Sequence, residues 1–286
     1  MSTQNLLELG KVFLVGAGPG AVDLITLRGA RLLAQADIVF HDALVDPEML
    51  YLCSQAIQVP VGKRCGKLSS AQHFINKRLI DAAHQYKTVV RLKGGDPMIF
   101  GRADEEIQAL KDSNIDVEVV PGITAALAGA ASIQQSLTLR GVSRSVAFVT
   151  LAQSNDLNSE SPSISEYVPM AQPKADTLVY YMGRKDAVKI AKQLIEAGTH
   201  HHRGTPVHIL ESVSTKSERH LSSTLGELAD GHAIDWFNIS SPALIMIGEA
   251  LRENLEAPSS TLNGSCGVID DGLQDSLVFT NSRLCA

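Results

Sequence analysis

Short apolar runs rich in Val, Ile and Phe recur at residues 11–15, 38–41, 88–92 and 117–120, each of strand length. Between them, residues 24–35 and 72–86 carry apolar positions at helical spacing. In the second stretch these are Ile75, Leu79, Ala82, Ala83 and Tyr86. Strand and helix in alternation predict crossover units and a mainly parallel sheet. Pro121-Gly122 interrupts the pattern, and an Ala-rich helix is expected over 123–134. A second set follows, with strands at 146–150, 177–181, 207–210 and 243–247 around a helix at 187–197. The fold class is therefore expected to be α/β: two α/β domains with mainly parallel sheets and a ligand cleft between them. The boundaries drawn from the pattern are an N-terminal domain over 1–121, a connecting helix over 122–137 and a C-terminal domain over 138–252. Residues 153–175 mix Ser, Asn, Glu and Pro without periodicity and read as a surface loop. Residues 253–286 form a polar tail in which only 276–280 suggests a strand. That tail is expected to lie outside the catalytic fold.

Composition narrows the class. With 44% hydrophobic and 20% charged residues in 286, the chain has the make-up of a globular protein large enough for one or two domains. No apolar run reaches the roughly 20 residues of a membrane span, and the polar N-terminus does not read as a signal peptide. Cys53, Cys65, Cys266 and Cys285 lie far apart with no CxxC pair, which argues against a zinc site and a disulfide framework. A reduced, cytoplasmic protein is expected. The net charge of −6 disfavours nucleic acid as a general partner but leaves room for a local cationic pocket. His200, His201 and His202 sit between Gly198 and Gly204 and read as an exposed loop; no metal is expected.

The strand at 11–15 runs into GAGPG and Ala21, which satisfies the GxGxxA pattern of dinucleotide-binding turns. An NAD-dependent oxidoreductase is one reading of it. Three features weigh against it: Pro19 inside the turn, a helix that starts only near Leu24, and Asp42 lying about 26 residues beyond Gly16 where about 20 is usual. Taken alone, the loop is equally a tight turn without a ligand.

Longer motifs decide more. GAGPG at 16–20 is followed by HDALV at 41–45, VGKR at 61–64, RLKGGDPMIFGR at 91–102 and VPGITA at 120–125. LTLR at 137–140, YYMG at 180–183 and SPALI at 241–245 complete the series. In this order the chain resembles the uroporphyrinogen-III C-methyltransferases of the tetrapyrrole methylase family over roughly residues 11–250. The resemblance implies S-adenosylmethionine bound in the cleft, mostly through backbone groups of both halves. The contacts it carries over are Pro19, Gly94, Gly95, Asp96, Ile99, Thr124, Ala125, Met182, Val213 and Ala243. It also implies a homodimer acting on a tetrapyrrole, with precorrin-2 dehydrogenase and chelatase steps left to separate proteins. Methylation of a later corrin intermediate is the related alternative.

An octacarboxylate substrate asks for cations. Arg64, Lys67, Arg102 and Arg140 are the candidate substrate-binding residues, with Arg144 a weaker one, since guanidinium groups pair carboxylates bidentately. Asp42 is the candidate base and Lys63 the candidate acid, with Arg64 fixing a carboxylate. For Asp42 the competing reading is a helix cap. Two departures from the family pattern stand out: Leu139 where His is common, and Leu151-Ala152 where Gly-His is common.

Overall fold

The computed structural model describes residues 9–61, 68–151, 173–198 and 200–252, with the backbone alone at 68–71. The first sheet contains β1 (Lys11–Gly16), β2 (Ile38–His41), β3 (Ile57–Pro60), β4 (Thr88–Lys93) and β5 (Val117–Val120). Its order is β3-β2-β4-β1-β5 and every pairing is parallel. The connecting helices α1 (Leu27–Gln35), α2 (Leu68–Ala83) and α3 (Ala103–Asp112) cover both faces. One face packs Val12, Leu14 and Phe40 against Leu79 and Leu110. The other packs Val15, Val39 and Leu92 against Leu33 and Met49. Strands buried on both sides read as continuous apolar runs, which is why four of the five are legible from the pattern.

The strand β3 escapes that pattern because it is a short edge strand with mostly exposed residues and Pro60 at its end. The helix α3 escapes it because only Ala103, Glu106 and Leu110 of its ten residues are buried. The helix expected from Leu24 begins instead at Leu27. Thr26 caps it by accepting the Gly29 N–H at 3.1 Å, and residues 22–24 form a separate 3-10 turn.

The second sheet contains β6 (Val146–Thr150), β7 (Thr177–Tyr181), β8 (Pro206–Glu211), β9 (Arg219–Thr224) and β10 (Ala243–Ile247), in the order β6-β7-β10-β8-β9. Here the expectation of a mainly parallel sheet fails. Only β6 and β7 run parallel; β10 is antiparallel to both β7 and β8, and β8 pairs antiparallel with β9. Apolar runs record burial on two faces but carry no strand direction, so the pattern could not tell the two arrangements apart. The outer strand β9, RHLSST, is polar and exposed and gave no signal. The helices of this half are α4 (Ala125–Ser132), α5 (Ala187–Glu196) and α6 (Leu225–Ala229). The last begins with a capping box between Thr224 and Glu227.

The small side chains of α4 let it lie close on the second sheet: a Cβ on Gly129 would stand 3.3 Å from Met246 Cε. Thus α4, which starts at the edge of the first sheet, packs with Leu210, Leu244 and Met246 of the second. Both sheets fall in one compact unit spanning residues 1–253. Among the described residues, no helix is long and apolar enough to cross a membrane.

Candidate functional site

Three turns meet at the carboxyl edge of the first sheet. They follow β1 at Gly16–Gly20, β4 at Gly94–Asp96 and β5 at Pro121–Thr124. Gly18 and Gly95 exchange two backbone hydrogen bonds: the Gly18 N–H donates to Gly95 O at 3.2 Å, and the Gly95 N–H to Gly18 O at 2.7 Å. The Asp96 carboxylate accepts the Met98 N–H at 2.8 Å on one oxygen and the Gly122 N–H at 2.9 Å on the other. A Cβ on Gly122 would lie 2.3 Å from the Gly95 carbonyl oxygen, so this approach admits only glycine. The outer side of the middle turn is different. A Cβ on Gly95 would meet nothing nearer than Thr124 Cα at 3.9 Å, and the Gly94 N–H and C=O have no backbone partner among the described residues. Bare backbone with free polar groups at the carboxyl end of a parallel strand is where open α/β sheets hold ligands.

Beside this cradle lies a buried charge network. Asp42 follows β2, and its carboxylate takes a hydrogen bond from Arg91 Nη2 at 2.5 Å. Arg91 Nε reaches Glu106 Oε1 at 3.0 Å, and Lys93 Nζ reaches Glu106 Oε2 at 2.9 Å. Gln72 Nε2 adds a bond to Glu106 Oε1 at 3.2 Å. Arg91, Lys93 and Glu106 are all buried, so each charge is matched inside the fold. Burial pushes the Lys93 ammonium below its ordinary pKa, and neighbouring Arg91 pushes it the same way. For Arg91 burial works against the charge, but Asp42 and Glu106 outweigh it and raise the pKa.

The second half closes on these turns from above. The Tyr181 hydroxyl, at the end of β7, lies 2.6 Å from Thr124 Oγ1 and accepts the Ala126 N–H at 3.1 Å. It thereby caps α4, a task the Thr124 side chain does not perform. Phe100 and Phe148 meet the Tyr181 ring edge-on at 5.1 and 5.8 Å. In the β7–β10 register Leu244 faces Tyr181, which sets Ala243 opposite Met182. After β8, the turn at 212–215 sits on Gly20. A Cβ there would be 2.6 Å from Thr215 Cγ2 and 2.9 Å from Val213 O, and Ser214 Oγ accepts the Ala21 N–H at 3.0 Å. Among the described residues seven non-glycine residues have positive φ; Ser212 and Ser214 belong to the turn on Gly20, Phe100 and Arg102 follow the turn at Gly94–Asp96, and Met182 follows Tyr181. Such conformations cost roughly 1–3 kcal/mol each and concentrate at functional sites.

Of the candidate cofactor contacts, Pro19 lies in the first turn and Gly94, Gly95 and Asp96 in the second, with the Ile99 N–H bonded to Asp96 O; Thr124 and Ala125 stand at the third, Val213 packs on Gly20, Met182 follows Tyr181 and Ala243 starts β10. The Asp96 carboxylate is spent mainly on tying two of those turns together. Asp42 is not a helix cap: Asp46 caps the 3-10 helix Pro47–Cys53, accepting the Glu48 N–H at 2.8 Å. Lys63, Arg64 and Lys67 lie outside the described residues. Arg102 is held by both oxygens of Glu105, at 2.5 and 2.7 Å. Arg140 and Leu139 are exposed on the turn closed by the Leu139–Ser143 bridge, and Arg144 is exposed nearby. Among the described residues no cluster of His, Cys, Asp and Glu could hold a metal. A cavity of about 520 Å3 opens between α4 and β6, lined by Leu127, Gln134, Leu137 and Phe148 among others, and shares none of the cofactor contacts.

Sequence reading missed Arg91, Lys93, Glu106, Tyr181 and Ser214 as parts of the site. For the two cations a signal existed: in VVRLK they interrupt a strand that is otherwise apolar, and a charge in such a strand needs a buried partner.

Residues 11–229 match the family of tetrapyrrole (corrin/porphyrin) methylases. The chain is 43% identical over 251 residues to the uroporphyrinogen-III C-methyltransferase of Pseudomonas aeruginosa, covering 88% of this chain and 98% of that protein. It is 44% identical over 241 residues to the siroheme synthase of Zymomonas mobilis, covering 84% of this chain but only 49% of that longer protein. Among solved structures it is similar to a uroporphyrin-III C-methyltransferase from Thermus thermophilus in complex with S-adenosylhomocysteine. There the TM-score is 0.69 and the identity 37%, over 85% of this chain and 99% of the other.

Proposed function

The chain belongs to the tetrapyrrole methylases, and on that premise we propose that it transfers methyl groups from S-adenosylmethionine to C2 and C7 of uroporphyrinogen III. The products are precorrin-2 and two S-adenosylhomocysteine. The observation that carries this reading is the cradle of glycine turns. Gly94–Gly95 offers open backbone at the end of β4, and the neighbouring turn at Gly20 packs on the backbone of Val213 in the second half. That is a fit for a polar, folded cofactor held by main-chain groups. The match to the Pseudomonas aeruginosa enzyme over nearly its full length supports the substrate. So does the rim: Leu44, Met98, Phe100 and Met182 are exposed apolar side chains around the site, suited to the face of a large ring.

The cofactor supplies an electrophilic methyl group on a positively charged sulfur. In each round a carbon–carbon bond forms to the pyrrole carbon, the sulfur–methyl bond breaks with its electron pair left on sulfur, and one proton leaves the macrocycle. The protein aligns the reacting atoms and handles that proton. We assign Asp42 as the acceptor of that proton and Lys63 as the proton donor to one macrocycle position, regaining a proton from another as the double bonds shift so that one proton leaves in net, with Arg64, Lys67, Arg102 and Arg140 complementing the substrate carboxylates. The enzyme is placed in the cytoplasm as a homodimer, with its halves divided at 121/122 and 137/138.

Incubation with uroporphyrinogen III and methyl-labelled cofactor tests the activity. The expected product carries two added methyl groups; no mass increase at saturating cofactor overturns the reading. Cofactor binding without consumption of NADH in the same preparation separates it from the oxidoreductase reading of GAGPG. That reading is also disfavoured by the position of α1, whose first amides are capped by Thr26 away from the glycines.

A further inference from the structure

A strand at the centre of a parallel sheet is an expensive place for two cations, and β4 carries both Arg91 and Lys93 there. Each nitrogen of the Arg91 guanidinium is accounted for. Nη1 donates to the carbonyls of Leu92 at 3.1 Å and Phe40 at 3.5 Å, Nε to Glu106, and Nη2 to Asp42. The Arg91 side chain is 3% exposed, that of Glu106 0%, and that of Asp42 29%. The network therefore runs from a fully enclosed carboxylate, through an enclosed guanidinium, to one carboxylate that reaches the open site. Glu106 is itself held from three sides, by Arg91, Lys93 and Gln72. A planar guanidinium held through Nε and Nη1 leaves Nη2 a single direction in which to point, and that direction is Asp42.

We propose that Arg91 is a positioning residue for Asp42, fixing the carboxylate that receives the macrocycle's proton, and that Glu106 is the brace that fixes Arg91. This rests on the reading of Asp42 as the proton acceptor. A carboxylate free to rotate would present its oxygen to the substrate for only part of the time, and small misplacements of a reacting group are costly. The groups facing Asp42 among the described residues are Arg91 from β4, with Glu106 of α3 and Lys93 of β4 behind it, and His41, whose Nδ1 lies 3.4 Å from the Asp42 carbonyl. Arg91 is the one in direct contact with the carboxylate.

The test uses the full chain and follows methyl transfer to uroporphyrinogen III for Asp42→Asn, Arg91→Met, Arg91→Lys, Glu106→Gln and the double variant Asp42→Asn/Arg91→Met. Calorimetric binding of S-adenosylmethionine and a melting curve confirm that each is folded. Arg91→Met is expected to lower kcat at least tenfold with cofactor affinity and KM little changed. Arg91→Lys should restore part of the rate, since it keeps charge but not the fork. In the Asp42→Asn background, Arg91→Met should cost nothing further. An equal loss in both backgrounds, or a loss in KM rather than kcat, overturns the proposal while leaving Asp42 in the mechanism. A near-normal rate in Asp42→Asn instead removes Asp42 itself and the proposal with it. Should Arg91→Met fail to fold, Glu106→Gln decides: it keeps shape and an acceptor oxygen but loosens the brace, and an unchanged kcat there counts against the proposal.

Discussion

The two sheets contribute to the site in different currencies. The first, all parallel, delivers side-chain charge and open glycine backbone at the carboxyl ends of adjacent strands, with Asp42 after β2 and Gly94–Gly95 after β4. The second, largely antiparallel, delivers backbone held in positive φ, at Met182 and at Ser212 and Ser214, and two hydroxyls, those of Tyr181 and Ser214. Parallel strands all end on the same edge, so chemistry from several of them converges without special effort. In the mixed sheet antiparallel neighbours end on opposite edges, so the ends of β7 and β8 and the start of β10 share one edge, where the turn at 212–215 meets Gly20. The first half is thus equipped to do chemistry, whereas the second is equipped to close over it.

The largest expected effect tests the first part of that contrast. Asp42→Asn should lower kcat on the order of 10²–10⁴-fold while S-adenosylmethionine affinity stays nearly unchanged, read by steady-state kinetics alongside calorimetry. If Asn serves as well as Asp, the first sheet supplies binding but not proton handling. Next comes Gly122→Ala. Its new Cβ would meet the Gly95 carbonyl oxygen at 2.3 Å, and the three turns would have to part. Overpacking of this kind costs roughly 1–3 kcal/mol, so cofactor binding should weaken about 5- to 150-fold and the melting temperature should fall. Unchanged binding would show that the cradle does not hold the cofactor.

Tyr181→Phe addresses the second half. It leaves the Ala126 N–H without its acceptor and Thr124 Oγ1 without its partner. A lost hydrogen bond of this type is worth about 0.5–1.5 kcal/mol, which corresponds to a severalfold loss in cofactor affinity with kcat at saturation preserved. A drop in kcat with affinity intact would break the division of labour between the sheets. The smallest effect concerns stability. His201 is buried with Nε2 3.2 Å from Ala175 O, and burial lowers its pKa below the ordinary 6.5. Below about pH 6.5 the unfolded chain therefore binds more protons than the folded one at this position, so stability here rises with pH and is lost as pH falls through that window. Replacing His201 with Gln, which can still donate to Ala175, should reduce the fall in melting temperature between about pH 7 and pH 5. An identical slope in the variant would assign the acid sensitivity to other groups.

Burial on two faces wrote the first sheet into the sequence. Val12, Leu14, Val39 and Val90 have no exposed side, so their strands could be read from apolar runs alone. The motifs GAGPG, RLKGGDP and VPGITA likewise located the three glycine turns of the first sheet, whereas the turn at 212–215 lies in none of them. Edge strands β3 and β9, with little to bury, left no trace. What the chain by itself could not state is which distant residues share a contact. The Arg91–Asp42 pair spans 49 positions and the Tyr181–Thr124 pair 57, and neither has any periodic signature. Strand direction in the second sheet and the pairing of buried charges were decided only when the sheets assembled. Hydrophobic pattern records how much of a residue is covered, but the identity of what covers it is fixed by long-range packing.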